Sequence, residues 1–175
     1  MKRRKKYLLI DGYNIINSWP KLIKAAESIS LSAALDKLIE IMENYVGASS
    51  EHVIIVFDAY MVSEGQGSIS ERGALTVVYT KEAETADAYI ERTASKLARH
   101  NRVRVATSDG LEQVIILGQG AYRMSPGDLM EEISLLEARV RERIEKSRPL
   151  KNNELIGNLD DETQKMLEQM RLRRE

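Results

Sequence analysis

Hydrophobic residues in this chain follow two kinds of pattern. Four short runs are apolar almost without interruption: Tyr7 to Ile10, Val53 to Phe57, Leu75 to Tyr79 and Val103 to Ala106. They are rich in valine, isoleucine and tyrosine, and continuous apolarity is what a strand buried on both faces of a parallel sheet requires. Between the runs, apolar positions recur at helical spacing. In LSAALDKLIEIMENYV, residues Leu31, Leu35, Leu38, Ile39 and Met42 share one helix face, and Ser30 or Ser32 is placed to cap it. A second helix is predicted from about Thr85 to Arg99. A third starts at SPGDL, with Ser125 as N-cap and Pro126 in the first helical position. Gly110 to Leu117 is ambiguous and leans to a short helix ahead of a strand at Ala121 to Met124.

Strands alternating with helices predict a three-layer α/β/α sandwich around a mainly parallel sheet with right-handed crossovers. Ligands of such sheets bind beyond the carboxyl ends of the strands. Asp11 follows the first run, Asp58 follows VIIVF and Asp109 follows VRVATS, so three carboxylates are expected at one edge of the sheet. Tyr60 to Gly73 is a polar, glycine-containing connection, long enough for an active-site flap and equally readable as a surface loop. From Lys146 the chain reads as a linker followed by a charged helix in which Leu159, Met166, Leu167 and Met170 are available for packing. The expected organisation is a basic extension over 1–6, one domain over 7–148, and a linker with a charged C-terminal helix over 149–175.

Length and composition narrow the chemistry. With 175 residues, 43% of them hydrophobic, the chain can bury one substantial core. There is no cysteine, and His52 and His100 are far apart, so a metal site has to be built from oxygen. No stretch reaches the roughly 18 apolar residues of a membrane helix, which predicts a soluble, cytoplasmic protein without a membrane partner. The formal net charge of −1 says little, but its distribution says more: KRRKK at the N-terminus and RLRRE at the C-terminus flank an acidic centre. Basic ends, with Lys2, Arg3 and Arg4 foremost, suit a bound polyanion, and as solvated tails they would look the same.

The acids are the most informative residues. In KEAETADAYIERTA, Ala86, Ile90, Ala94 and Leu97 project to one side of a helix, while Glu84, Asp87 and Glu91 fall on a neighbouring stripe. Like charges at that spacing repel by a few tenths of a kcal/mol per pair, a cost a cation removes. A lone strand-terminal aspartate is often a turn or helix cap. Asp11, Asp58, Asp87 and Asp109 together are harder to explain so, and such a nest suits Mg²⁺ or Mn²⁺, one or two ions, acting on a phosphodiester. Asn14 could hold a phosphate oxygen or a metal-bound water, or serve as a cap. Thr107 and Ser108 offer hydroxyls to the scissile phosphate, or form a turn before Gly110. The chain carries no phosphate-binding P-loop, dinucleotide fingerprint or serine-nucleophile elbow.

LLIDGYNIIN, VIIVFDA, TKEAETADAYIER and VATSDGLEQ, in that order, resemble the YacP-like NYN-domain family, a bacterial branch of the PIN-like ribonucleases. The resemblance runs from about Tyr7 to Arg143. It implies a PIN-like α/β/α fold and a divalent-metal endoribonuclease whose acids correspond to Asp11, Asp87 and Asp109, with Asp58 and Glu84 as supporting ligands or positioning residues and Asn14 as their polar partner. The family includes a ribosome-associated endonuclease that cleaves mRNA, so RNA is the implied partner and the ribosome a further one. Two other classes remain open: a non-catalytic RNA- or ribosome-binding module, and a metal-dependent phosphatase or nucleotidase.

Overall fold

The computed structural model describes residues 4–58, 67–108 and 120–147. In chain order the elements are β1 (Lys6–Asp11), α1 (Gly12–Ser18), α2 (Pro20–Ser28), α3 (Leu31–Ala48), β2 (His52–Phe57), β3 (Ser68–Arg72), β4 (Leu75–Tyr79), α4 (Ala86–Ala98), β5 (Arg102–Ala106), β6 (Tyr122–Met124) and α5 (Pro126–Ser147). The six strands form one sheet in the order β3-β4-β2-β1-β5-β6. Every neighbouring pair is parallel except β3 and β4.

The four apolar runs are the four inner strands, each extended by at most one residue at an end. β1 is central, and its Leu8, Leu9 and Ile10 are completely buried because both faces of the sheet are covered. On one face, Leu8, Ile10, Ile55, Phe57 and Val77 pack against α1, α2, α3 and the start of α5, which contributes Leu129 and Ile133. On the other, Leu9, Val56, Val78 and Val105 pack against Ala86, Ile90 and Ala94 of α4. This is the expected α/β/α sandwich. Ser30, rather than Ser32, caps α3 by accepting from Ala33 N at 3.1 Å. Ser125 accepts from Asp128 N at 3.0 Å at the start of α5.

Three elements depart from the sequence expectation. β3 occupies part of what reads as a flap or loop: SISER pairs antiparallel with β4 as an edge strand, all five residues exposed. With no buried face it has no hydrophobic period to read. The Gly73–Ala74 connection back to β4 has φ +64° at the glycine, as a two-residue hairpin with glycine first requires. α1 and α2 are short, of seven and nine residues, and too brief to show a repeated apolar stripe. Pro20 opens α2 at its first position, and Trp19 between the helices is locked by its Nε1–H donating to Pro126 O at 2.8 Å. The expected helix at Gly110 to Leu117, the remainder of the flap segment and the C-terminal helix lie outside the described residues.

A polar cluster ties the α3 side of the sheet together. Arg104 of β5 donates to Glu132 of α5 through Nη1 at 2.7 Å and Nη2 at 3.0 Å, to Tyr45 Oη of α3 at 3.0 Å, and to Glu51 just before β2. Burial works against the guanidinium charge, but the hydrogen bonds it donates to Glu132 and Glu51 outweigh it and hold Arg104 firmly protonated. The same bonds, opposed by burial, keep the Glu132 carboxyl below its usual range. Residues up to Ala138 form one compact unit and those from Arg139 a second. The described part of the second is the exposed end of α5, where Lys146 donates to Glu142 at 2.6 Å. Among the described residues no helix is long and apolar enough to cross a membrane.

Candidate active site

Strand order dictates where a ligand would sit. From β1 the chain builds outward through β2 to β4 on one side, then returns to place β5 on the other side of β1. The crevice at such a reversal opens at the carboxyl ends of the two strands, here Asp11 and the Thr107–Ser108 segment. Asp11 emerges from a wholly buried strand and turns at once into a helix. Its Oδ1 accepts from Asn14 N at 3.0 Å, so it is the N-cap of α1.

Gly12 makes that turn feasible. A Cβ at this position would stand 2.8 Å from Phe57 Cζ and closer still to two other ring atoms. Phe57 itself is fixed, stacked on Tyr79 at 5.3 Å and met edge-on by Tyr13 at 5.5 Å. Asn14 then closes the crevice: its Oδ1 accepts from Ser108 N at 2.9 Å, joining α1 to the end of β5 across 94 residues of sequence.

Asp58 follows β2 and accepts from Ala86 N at 2.6 Å, which docks the N-terminus of α4 against the strand ends. Thr85 caps the same helix through Ala88 N at 3.2 Å, and Asp87 lies in its first turn, where the helix dipole favours negative charge. Burial first, with the Asp87 and Asp58 carboxylates adding to it and the hydrogen bond from the Asn14 amide opposing it, raises the Asp11 carboxyl to about 6. These three acids therefore lie within electrostatic reach of one another.

Asp11, Asn14, Asp58, Asp87, Thr107 and Ser108 thus meet at one edge of the sheet, with Thr107 buried and Ser108 exposed. Glu84 is drawn aside: it precedes the cap of α4, not its first turn, and its carboxylate is ion-paired with Arg92. Arg4 stands before the start of β1, roughly 20 Å from Asp11 along the strand, and does not join the site. Asp109, Lys2 and Arg3 lie outside the described residues. His52 and His100 sit at the opposite, amino-terminal edge, as expected from their place in the chain.

The donor set suits a hard divalent ion: it is all oxygen, partly buried, and short of compensating charge around Asp11. Among the described residues no three acids close around a single point, and Asp58 already serves the Ala86 amide. Asp87 is the acid whose charge acts most strongly on Asp11. Tyr13 is a residue that sequence reasoning did not single out. Its hydroxyl is buried without a hydrogen-bond partner among the described residues, and burial, Tyr79 and Asp58 all raise its pKa. Nothing in the spacing of IDGYN distinguishes it from a core aromatic.

Comparison with known proteins gives the family and the fold. A family model described as the YacP-like NYN domain matches residues 8–172. An uncharacterised protein of Bacillus subtilis strain 168, YacP, is 41% identical over 140 residues, covering 79% of this chain and 81% of that protein. The crystal structure of Rae1 (YacP) from Bacillus subtilis superposes with a TM-score of 0.67 at 38% identity, covering 94% of each chain. A mutant of that protein gives 0.68 at 35% identity, covering 94% of this chain and 99% of that one.

Proposed function

Because this chain belongs to the YacP-like NYN-domain family, whose likeness implies a nuclease-type function on RNA, we propose that it is a divalent-metal-dependent endoribonuclease. The observation that carries the reading is the electrostatic coupling of Asp11 to Asp87 and Asp58 at the switch point of the sheet. Asp11 and Asp87 would hold Mg²⁺ or Mn²⁺, with Asp109 as the third acid that the resemblance implies. When bound there, a divalent ion supplies activation of the attacking water and neutralises charge developing on the phosphodiester.

The remaining chemistry belongs to the chain. Asn14 uses its carbonyl on Ser108 N, which leaves its NH₂ group to donate to a non-bridging phosphate oxygen without adding negative charge. The exposed Ser108 hydroxyl is a second donor on the same side. Asp58 holds α4, and hence Asp87, at the correct height over the strand ends. We propose messenger RNA as the substrate, the translating ribosome as the setting and the cytoplasm as the location. The support for these is the family, which includes a ribosome-associated endonuclease.

The test is Asp11→Asn. Asparagine is as good an N-cap as aspartate, so the bond to Asn14 N persists and the fold should be unchanged. Internal cleavage of an oligoribonucleotide with Mn²⁺ should be lost. Retained cleavage would refute the assignment. Release of phosphate from a mononucleotide, without internal cleavage of RNA, would show a phosphatase instead.

A further inference from the structure

A cleft of ≈ 550 Å³ opens between α2 and α3, lined by Lys21, Lys24 and Lys37. All three lysines are exposed. Asp36 and Glu40 share the cleft, yet no ion pair among the described residues engages any of the lysines. Lys21 and Lys24 lie one turn apart on α2, a spacing at which like charges repel unless an anion offsets them. Ala25 and Ile29 add apolar surface to the lining, Ile29 being 76% exposed.

Topology puts this cleft beside the candidate active site. α3 runs into the amino-terminal end of β2, so its own N-terminal half, with Asp36 and Lys37, overhangs the carboxyl edge of the sheet. The carboxyl ends of β2 and β4 lie close to this part of α3. Phe57, the residue before Asp58, stacks on Tyr79 at the end of β4. Burial and then the Asp36 carboxylate raise the Tyr79 hydroxyl pKa, which sets Asp36 within electrostatic reach of that strand end.

We propose that the α2–α3 cleft carries the backbone of the single-stranded RNA substrate away from the acidic site, with Lys21, Lys24 and Lys37 contacting phosphates and the exposed Ile29 side chain meeting a ribose or base. It rests on the reading of the chain as an RNA-cleaving enzyme. The lysine heads give affinity without sequence preference, as expected where phosphates position the strand.

The experiment replaces all three lysines with glutamine, a change that preserves helix propensity and removes no hydrogen bond among the described residues. Binding of a fluorescein-labelled single-stranded oligoribonucleotide is measured from 50 to 200 mM KCl without divalent ions. Three lost phosphate contacts should flatten the slope of log K against log salt by about 2, so the wild type should lose ~20-fold more affinity across that range than the variant. With Mn²⁺, KM should rise and kcat should hold. A second variant, Lys96→Gln with Arg99→Gln on the outer face of α4, should keep the wild-type slope. An unchanged slope in the triple variant, or an equal flattening in the α4 variant, overturns the cleft. A wild type that binds RNA through these lysines but never cleaves it overturns the nuclease reading and leaves RNA binding by the cleft in place.

Discussion

Substituting alanine for Gly12 tests whether close packing sets the position of the acidic site. The added Cβ would lie 2.8 Å from Phe57 Cζ, against about 3.5–4.0 Å for carbon atoms at rest. The ring cannot swing clear, since Phe57 is fully buried and held between Tyr13 and Tyr79. Relief must come from the backbone of α1. Overpacking of this kind costs roughly 1–3 kcal/mol, and the helix preference of alanine over glycine returns at most about 1 kcal/mol. We therefore expect a net loss of about 1–2 kcal/mol. Urea unfolding followed by the fluorescence of Trp19, the single tryptophan and a buried one, measures it directly. Because α1 carries Asn14 and is capped by Asp11, cleavage by the folded variant should also fall about tenfold or more. Phe57→Leu removes the obstacle, so the double variant should be more stable than the summed single costs by at least about 0.5 kcal/mol. A Gly12→Ala protein as stable and active as the wild type, or strict additivity with Phe57→Leu, would refute the reasoning.

Arg104→Met should destabilise the fold by about 2–3 kcal/mol in urea unfolding, because it strands Glu51, Glu132 and Tyr45 around an empty position; the exposure of Arg104 (24%) and Glu132 (33%) screens part of the larger cost of breaking a fully buried pair. The pH response follows from Glu132, whose folded pKa is depressed: its stabilisation is complete above its ordinary value of 4.5 and is lost as pH falls through the lower folded value. Urea midpoints should accordingly drop more between pH 6 and pH 3.5 in the wild type than in Glu132→Gln. Trp19→Phe deletes the donor to Pro126 O and should cost about 1–2 kcal/mol, readable by circular dichroism on heating. Asp87→Asn should abolish RNA cleavage while leaving the Thr85 cap and the unfolding curve intact.

The inner sheet was legible because burial on both faces imposes continuous apolarity, and that signal survives without tertiary information. The same logic failed at β3, whose residues are held by backbone pairing alone, and at α1 and α2, whose lengths allow barely two turns. For the acids, sequence placed Asp11 and Asp58 at strand ends correctly but could not say what each carboxylate does there. Asp58 faces an amide 28 residues away, and Glu84 reaches Arg92 two turns into the next helix, and both pairings depend on how α4 docks. The tie between Asn14 and Ser108 is likewise a product of the strand order, which places β5 beside β1 although 90 residues separate them.

Two polar clusters in this fold show how one sequence handles buried charge in opposite ways. Around Arg104 the protein supplies a cation of its own, and Glu51 and Glu132 are satisfied by a bidentate donor and a tyrosine hydroxyl. That cluster joins α3, β2, β5 and α5, and within it only Arg104 Nε is buried without a hydrogen-bond partner among the described residues. At the carboxyl edge Asp11 and Asp58 accept from the backbone amides of Asn14 and Ala86, which fix each side chain in space but do not cancel its charge. The charges that act on Asp11 are of its own sign. A fold that can place an arginine among carboxylates in β5, yet meets those of β1 and β2 with peptide N–H groups, has kept the negative potential while securing the geometry. On the proposed function this is the combination a divalent cation would require of its ligands, so Arg104→Met should lower stability with cleavage by the folded protein retained, and Asp11→Asn should do the reverse.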